Sequence, residues 1–158
     1  MAKNREILTA REIMTRSLVT FSPDLSIFDA MSVLMNKGIS GAPVVDDSEK
    51  LVGMLSELDC LRVLSSEEFY ADEQEEGGCV RDFMTRPHQS IGPHLGIYAI
   101  AHYFLTTAAR RLPVVVEGRL LGQVSRRDVL RGIELMRRKR GRAPVQDYYS
   151  VARSWSAL

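Results

Sequence analysis

The chain has 158 residues, of which 45% are hydrophobic and 26% are charged. This length suits one ordinary domain or two small ones. We find no apolar run long enough for a membrane span and no signal-peptide core at the N-terminus. Cys60 and Cys79 are too few for a disulfide framework or a zinc site. We therefore expect a cytoplasmic protein without a membrane segment.

The charges are distributed unevenly, although the formal net charge is only +1. Residues 1–79 carry 7 Lys/Arg and 15 Asp/Glu, a balance of −8. Residues 80–158 carry 14 and 5, a balance of +9. Two interpretations are open: the halves pack together or pair between chains, or the basic half binds an anion.

The first elements of the chain are short. A helical turn at Thr9–Thr15 precedes an extended piece at Leu18–Phe21. An amphipathic helix follows over Ser26–Gly38, because its apolar residues recur at spacings of three and four. Ser26 and Asp29 predict a capping box at its start, and its final Lys-Gly pair is a usual stop signal.

A hairpin and a second helix complete the first half. The strands Ala42–Val45 and Leu51–Leu55 are almost continuously apolar, which predicts burial on both of their faces. The second helix begins at Ser56 and runs to about Leu64. The first half therefore reads β-α-β-β-α.

The second half repeats this order. A helical turn at Cys79–Thr85 and an extended piece at Gln89–Ile91 come first, followed by a helix at Gly96–Thr107. The hairpin strands and the last helix are predicted at Leu112–Val116, Leu120–Val124 and Ser125–Arg140. The second half is thus a second β-α-β-β-α unit.

The two halves align as an internal repeat, which is the observation that determines the fold assignment. Pro43 corresponds to Pro113 with an offset of 70. Beyond the hairpin turn the offset is 69, and it relates Gly53 to Gly122, Ser56 to Ser125 and Asp59 to Asp128. The change falls in the turn, where a deletion is tolerated best.

The repeat divides the chain into five segments. They are a lead-in at 1–8, repeat 1 at 9–65, an acidic linker at 66–78, repeat 2 at 79–140 and a tail at 141–158. The tail contains Tyr148, Tyr149 and Trp155. We expect these aromatic side chains to pack on this chain or on a partner, because exposing them to water is unfavourable.

The doubled pattern resembles a tandem pair of cystathionine-β-synthase (CBS) domains, a Bateman module. The matching features are Arg-Glu-Ile-Met-Thr and Arg-Asp-Phe-Met-Thr, a Pro-Val-Val in each hairpin, and Gly-Met-Leu-Ser-x-x-Asp and Gly-Gln-Val-Ser-x-x-Asp. The resemblance covers about residues 10–137 and implies a free-standing α/β (α+β) module. Its two β-α-β-β-α units would pack with pseudo-twofold symmetry.

The resemblance also implies a function. Members of the family commonly bind adenosine-containing ligands (AMP, ADP, ATP or S-adenosylmethionine) in two clefts, and they often form face-to-face homodimers. It implies a regulatory module that requires no cofactor, performs no catalysis and modulates a partner protein through a ligand-dependent conformational change. The sequence does not identify that partner.

The Ser-x-x-Asp motifs have both a structural and a functional interpretation. Ser56 with Asp59, and Ser125 with Asp128, are predicted capping boxes at helix starts. Capping alone is sufficient to explain these residues. Given the resemblance, the same carboxylates are candidates to accept hydrogen bonds from both ribose hydroxyls.

The two clefts are predicted to be chemically unequal. The first helix start carries Glu57 and Leu58, whereas the second carries Arg126 and Arg127. Arginine is well suited to phosphate, so we expect a nucleotide phosphate in the cleft with Asp128. The Asp59 cleft would take an uncharged or cationic adenosyl group or remain empty. The alternative for both arginines is a solvated helix face.

The adenine is expected against the edges of the apolar strands. The candidates in the first half are Thr20, Ile39, Ser40 and Ala42. Those in the second half are Ser90, Ala109, Arg110 and Leu112, and the pair Arg110-Arg111 is also placed to touch phosphate.

Other chemistry is poorly supported by the sequence. The three histidines share no metal-ligand spacing, and neither a phosphate-binding glycine loop nor a nucleophile elbow is present. Two alternatives to a ligand sensor remain. One is an interaction or dimerisation module with vestigial clefts. The other, which we consider a minor one, is nucleic-acid binding through Arg131 and Arg137–Arg142.

Overall fold

The secondary structure of the first half follows the predicted order. The computed structural model describes residues 7–65, 77–86, 89–139 and 141. The elements of the first half are α1 (Ala10–Ile13), α2 (Ile27–Lys37), β1 (Gly41–Val45), β2 (Leu51–Ser56) and α3 (Glu57–Leu61). A 3-10 turn at Arg62–Ser65 extends α3, so the predicted second helix is confirmed with a tighter last turn.

The second half has the same elements. They are α4 (Val80–Phe83), α5 (Ile97–Thr106), β3 (Arg111–Val116), β4 (Arg119–Ser125) and α6 (Arg126–Lys139). Most of the predicted tail and most of the predicted linker lie outside the described residues. Within the described ranges, no helix combines the length and apolarity needed to cross a bilayer.

Each half contains one antiparallel hairpin, as predicted. In β1–β2 the register pairs Gly41 with Ser56, and in β3–β4 it pairs Arg111 with Ser125. The second turn is a two-residue turn in which Glu117 and Gly118 both have positive φ, the conformation that matches strand twist in tight hairpins. The first turn is one residue longer, which accounts for the change of offset.

The first predicted strand of each half is reduced to a single parallel bridge. Phe21 donates its N–H to Pro43 O at 2.9 Å, and its own carbonyl accepts from Val45 N at 2.9 Å. Ile91 makes the equivalent bonds to Pro113 and Val115. These bridges hold the preceding residues, Thr20 and Ser90, beside the hairpins.

The prediction that both hairpin strands are buried on both faces is wrong for β2. Leu51, Gly53 and Leu55 are buried, whereas Val52 and Met54 are only half-buried. The hairpin has helices on one face, which form the core with Ile27, Ala30 and Leu34 of α2 and Cys60 and Val63 of the α3 region. A sheet covered in this way alternates between buried and less buried positions.

The predicted capping box between Ser26 and Asp29 is also wrong. Ser26 precedes α2 but makes no side-chain cap bond. The N–H of Ile27 is instead bound by Gly78 O at 3.0 Å, and Ser26 bridges to Cys79. The backbone at the junction of the linker and repeat 2 therefore satisfies the helix start.

The short helices are exchanged between the halves. α1 contributes Ala10 to the core of the second half, and α4 contributes Val80 to the core of the first half. In the second half, Ile97 N donates to Leu8 O at 2.8 Å, which mirrors the Ile27 bond. The sequence repeats thus do not coincide with the packing units.

Contacts between the halves show a pseudo-twofold axis. Lys50 bridges to Arg119, which is its own counterpart at an offset of 69. On either side of the bridge, Leu51 N donates to Gly118 O at 2.9 Å and Leu120 N donates to Glu49 O at 3.3 Å. Reciprocal bonds between equivalent residues are what twofold symmetry produces. The structure is thus an α+β pair of related units.

Candidate functional site: two clefts with buried aspartates

Asp59 and Asp128 are buried at the hairpin-to-helix junctions, with only 3% and 7% of their surfaces exposed. Asp59 Oδ2 accepts from Ser56 N at 2.8 Å and from Ser56 Oγ at 2.7 Å. Asp128 Oδ2 accepts from Ser125 N and Oγ at the same distances. Both capping boxes are formed, and each leaves the second carboxylate oxygen outside the cap.

The second oxygens of the two aspartates have different partners. Asp59 Oδ1 accepts from Thr85 Oγ1 at 3.3 Å and pairs with Arg62 at 3.3 Å. Asp128 Oδ1 pairs with Arg131 at 3.4 Å, its one side-chain partner among the described residues. Thr15, the counterpart of Thr85, makes no side-chain bond to Asp128 in the described structure. The Asp128 oxygen is consequently the more available acceptor.

Three of the four adenine candidates of the first half lie at the expected edge. Ser40 O accepts from Glu57 N at 3.0 Å, which joins Ser40 and its neighbour Ile39 to the start of α3. Thr20 is exposed beside β1. Ala42 has its side chain in the core, so only its backbone is placed to face a ligand.

The second-half candidates are arranged similarly. Ser90 and Arg110 are exposed, and Leu112 is fully buried. The Arg126 guanidinium donates to Ala109 O at 2.9 Å, which brings these two predicted site residues together. Arg126 and Arg127 are both exposed, and Arg126 in addition binds the Ala109 carbonyl.

Three arginines at the start of β3 and α6 form a cationic rim at the second cleft. They are Arg110, Arg126 and Arg127, and none of the three is ion-paired within the described part of the chain. Their counterparts are Ser40, Glu57 and Leu58. The neighbouring Arg111 directs its guanidinium to the first hairpin instead. The structure thus retains the charge difference that the sequence indicated.

Sequence reasoning missed the roles of three residues: Thr85, Arg111 and Gln123. Thr85 reaches Asp59 only because α4 is exchanged between the halves. Arg111 extends across to β1, where it donates to Ser40 Oγ at 3.0 Å and to Gly41 O. The partial signal for Arg111 was its place in the Arg-Arg pair before the second hairpin.

Gln123 presents a buried acceptor. Its Oε1 is inaccessible and makes no hydrogen bond to any residue that the structure describes. Gln123 pairs with Thr15 through two backbone bonds of 2.9 Å, so their side chains share a face of the hairpin. The residue equivalent to Gln123 is Met54, which carries no such acceptor.

Replacing Gln123 by methionine is expected to stabilise the protein by about 1 kcal/mol, because a buried unsatisfied acceptor costs roughly 1–3 kcal/mol. Methionine adapts well to irregular space and is the residue of the first half. Urea denaturation would measure the free energy of unfolding. The control is Gln89→Met at an exposed position, which should change it little. A destabilised Gln123→Met variant would contradict the interpretation.

The thiol beside the first aspartate is not a reactive group. Burial raises the pKa of Cys60, and the charges of Asp59 and Glu57 raise it further. The thiol is therefore protonated at neutral pH, which disfavours nucleophilic or metal-binding roles. Among the described residues, no group of three His, Cys, Asp or Glu is placed to hold a metal ion.

Paired hairpin-and-helix units, each with a buried aspartate at the hairpin-to-helix junction, define a class of tandem α+β repeats. The chain belongs to the CBS domain family. The model of the CBS domain matches it twice, at residues 10–66 and 80–135. Both Ser-x-x-Asp motifs lie within the matched ranges.

Several relatives are similar to most of this chain. MJ1225 of Methanocaldococcus jannaschii is 31% identical over 121 residues, covering 77% of this chain and 41% of that protein. MJ1426 of the same organism is 30% identical and covers 82% of this chain and 94% of that protein. This chain spans less than half the length of several curated relatives that it matches.

A solved relative contains a nucleotide. The crystal structure of CBSX2 in complex with AMP is 33% identical to this chain, with a TM-score of 0.70. The alignment covers 79% of this chain and 95% of that one. CBSX2 is a CBS-pair protein from Arabidopsis thaliana.

Proposed function

We propose that the chain is a regulatory module that binds an adenosine-containing ligand, one of AMP, ADP, ATP or S-adenosylmethionine. The observation that carries this proposal is the buried Asp128, whose Oδ1 lies outside the cap. Such a carboxylate suits the two adjacent hydroxyls of a ribose. The AMP complex of CBSX2 supports an adenosyl ligand.

The cationic rim favours a phosphate-bearing ligand in the Asp128 cleft. Arg110 and Arg127 are exposed there and have no ion-pair partner among the described residues. The start of α6 offers a helix N-terminus, where N–H groups and the dipole favour anions. The ribose would bind Asp128 while the adenine lies against the β3 edge near Ser90 and Ala109. The Asp59 cleft, with Glu57 at its helix start, suits an uncharged or cationic adenosyl group.

Regulation would follow from differential affinity. A ligand that binds one arrangement of the two repeats better than another shifts their equilibrium, and this shift is sufficient to modulate a partner protein. The proposal assigns no catalytic step and no required cofactor to the chain, and it places the protein in the cytoplasm. The sequence does not identify the partner protein that would be regulated.

Calorimetric titration tests the proposed function directly. AMP, ADP, ATP and S-adenosylmethionine would each be titrated into the purified chain, after mass spectrometry has established whether any small molecule co-purifies. We expect saturable binding of at least one phosphate-bearing adenosyl ligand. The absence of binding by all four, with no co-purified ligand, would reject the proposal in favour of an interaction module with vestigial clefts.

Exposed apolar side chains provide the observation that favours an interaction role. They recur at equivalent helical positions of the two halves: Phe28 and Tyr98, Met35 and Leu105, Leu61 and Leu130, Leu64 and Ile133. Apolar exposure that follows the internal symmetry indicates a surface that is covered in an assembly. We propose that a second copy of the chain covers it, giving a homodimer through the CBS helices.

The homodimer predicts a mass of twice 17.8 kDa in light scattering after size exclusion. Leu105 is 84% exposed, so Leu105→Glu should place a charge in the interface without disturbing the core and should shift the protein to the monomer mass. Val116→Glu, at the exposed tip of the second hairpin, is the matched control and should remain dimeric. A monomeric wild-type protein would contradict this assembly.

Nucleic-acid binding receives little support from the described part of the basic helix. Arg131 is paired with Asp128, and Arg138 is paired with Glu134 at 2.6 Å. Arg137 is exposed, while Arg140 and Arg142 are not among the residues whose side chains are described. We therefore assign the basic half to small-anion binding rather than to nucleic acid.

A further inference from the structure

Arg111 connects the two clefts physically. Its backbone opens β3 and pairs with Ser125, the capping residue of the Asp128 cleft. Its guanidinium lies at the other cleft, where it donates to Ser40 Oγ at 3.0 Å and to Gly41 O. Ser40 O in turn accepts from Glu57 N at the start of α3. The Arg111 side chain thus links the start of β3 at the second cleft to the β1 edge of the first cleft.

This connection exists in one direction only. The counterpart of Arg111 in the first half is Gly41. A Cβ atom at Gly41 would lie 2.8 Å from Leu55 O, a backbone atom that cannot easily move. The first half therefore has no room for an equivalent side chain without rearrangement, and the asymmetry is built into the packing.

The acceptors that Arg111 now contacts are both neutral. A guanidinium binds phosphate or carboxylate through two parallel charge-assisted bonds, which are about twice as strong as bonds between neutral groups. No carboxylate pairs with Arg111 in the described structure. A phosphate in the second cleft would accordingly compete well for this side chain.

We propose that Arg111 couples the clefts by exchanging its contacts with Ser40 and Gly41 for the phosphate of a ligand bound at Asp128. Phosphate binding then releases the β1 edge of the Asp59 cleft. Linkage requires the converse as well: a ligand that displaces Arg111 from Ser40 favours phosphate binding in the second cleft. This inference rests on the proposed function, because it needs an adenosyl phosphate in the Asp128 cleft.

The test is an amide-resolved NMR titration of the whole chain with AMP and, separately, with adenosine, which lacks the phosphate. In the wild type, AMP should shift the amide resonances of Ser125, Asp128 and Gly41. Adenosine should shift those of Ser125 and Asp128 but not that of Gly41. In Arg111→Met the Gly41 response to AMP should disappear, and AMP should bind about tenfold more weakly.

Two further variants make the result decisive. Arg111→Lys keeps the charge but not the two-donor fork, and its Gly41 response should fall at least threefold. Arg119→Met removes the same charge from the exposed hairpin turn and should behave as wild type. If AMP binds but Gly41 does not respond, or if both Arg111 variants respond as strongly as the wild type, the coupling is wrong while the proposed function stands. If neither ligand shifts Ser125 or Asp128, the coupling fails together with the proposed binding of an adenosyl ligand at Asp128.

Discussion

Replacing Asp128 by asparagine is expected to weaken AMP binding by about 2 kcal/mol, roughly thirtyfold, as measured by calorimetry. The amide oxygen of asparagine can still accept from Ser125, the capping residue, so the bonds from Ser125 should survive in a similar form. The negative charge and one of the acceptor oxygens are lost, and with them the charge-assisted pairing with two ribose hydroxyls.

Asp59→Asn is the matched control for this experiment, because the internal repeat supplies an equivalent aspartate with an equivalent cap. Its Oδ1 already has two partners, Thr85 and Arg62, and no arginines follow at its helix start. AMP affinity should change less than threefold. Equal losses in both variants would contradict the predicted inequality of the clefts, and unchanged affinity in Asp128→Asn would remove that carboxylate from the site.

Replacing Gly122 by alanine is expected to destabilise the fold by about 2 kcal/mol through overpacking. The added Cβ would lie 2.8 Å from both Met14 Sδ and Thr15 O. The methionine side chain can rotate, but the Thr15 carbonyl is held by Gln123 N at 2.9 Å. The steric overlap with the added Cβ can therefore be relieved only if the segment after α1 moves away from the second half.

Urea denaturation of Gly122→Ala would measure the loss of stability, and hydrogen exchange at Thr15 would show whether the exchanged segment loosens. Gly92→Ala is the control, because nothing lies within 4 Å of its Cβ position, and it should stay within about 0.5 kcal/mol of wild type. If Gly122→Ala were as stable as the control, α1 would not be docked as described.

Local signals in the sequence were sufficient for the hairpins and for the caps at Ser56 and Ser125. A hairpin depends on neighbouring strands and their turn, and a capping box depends on residues three apart, so both can be derived from short windows. The same reasoning failed at Ser26. Its box partner Asp29 was present, but a carbonyl from residue 78 had already satisfied the helix start, and no short window contains that information.

The sequence by itself determined the repeat, its β-α-β-β-α order, the two acidic motifs and the charge difference between the clefts. Only the tertiary structure decided that α1 and α4 are exchanged, because docking each short helix depends on apolar surface buried far along the chain. Because of the exchange, Thr85 donates to Asp59, whereas Thr15 makes no side-chain bond to Asp128 in the described structure. The contact between Arg111 and Ser40 was likewise decided by the tertiary structure, because what a long side chain reaches depends on how the two halves pack together.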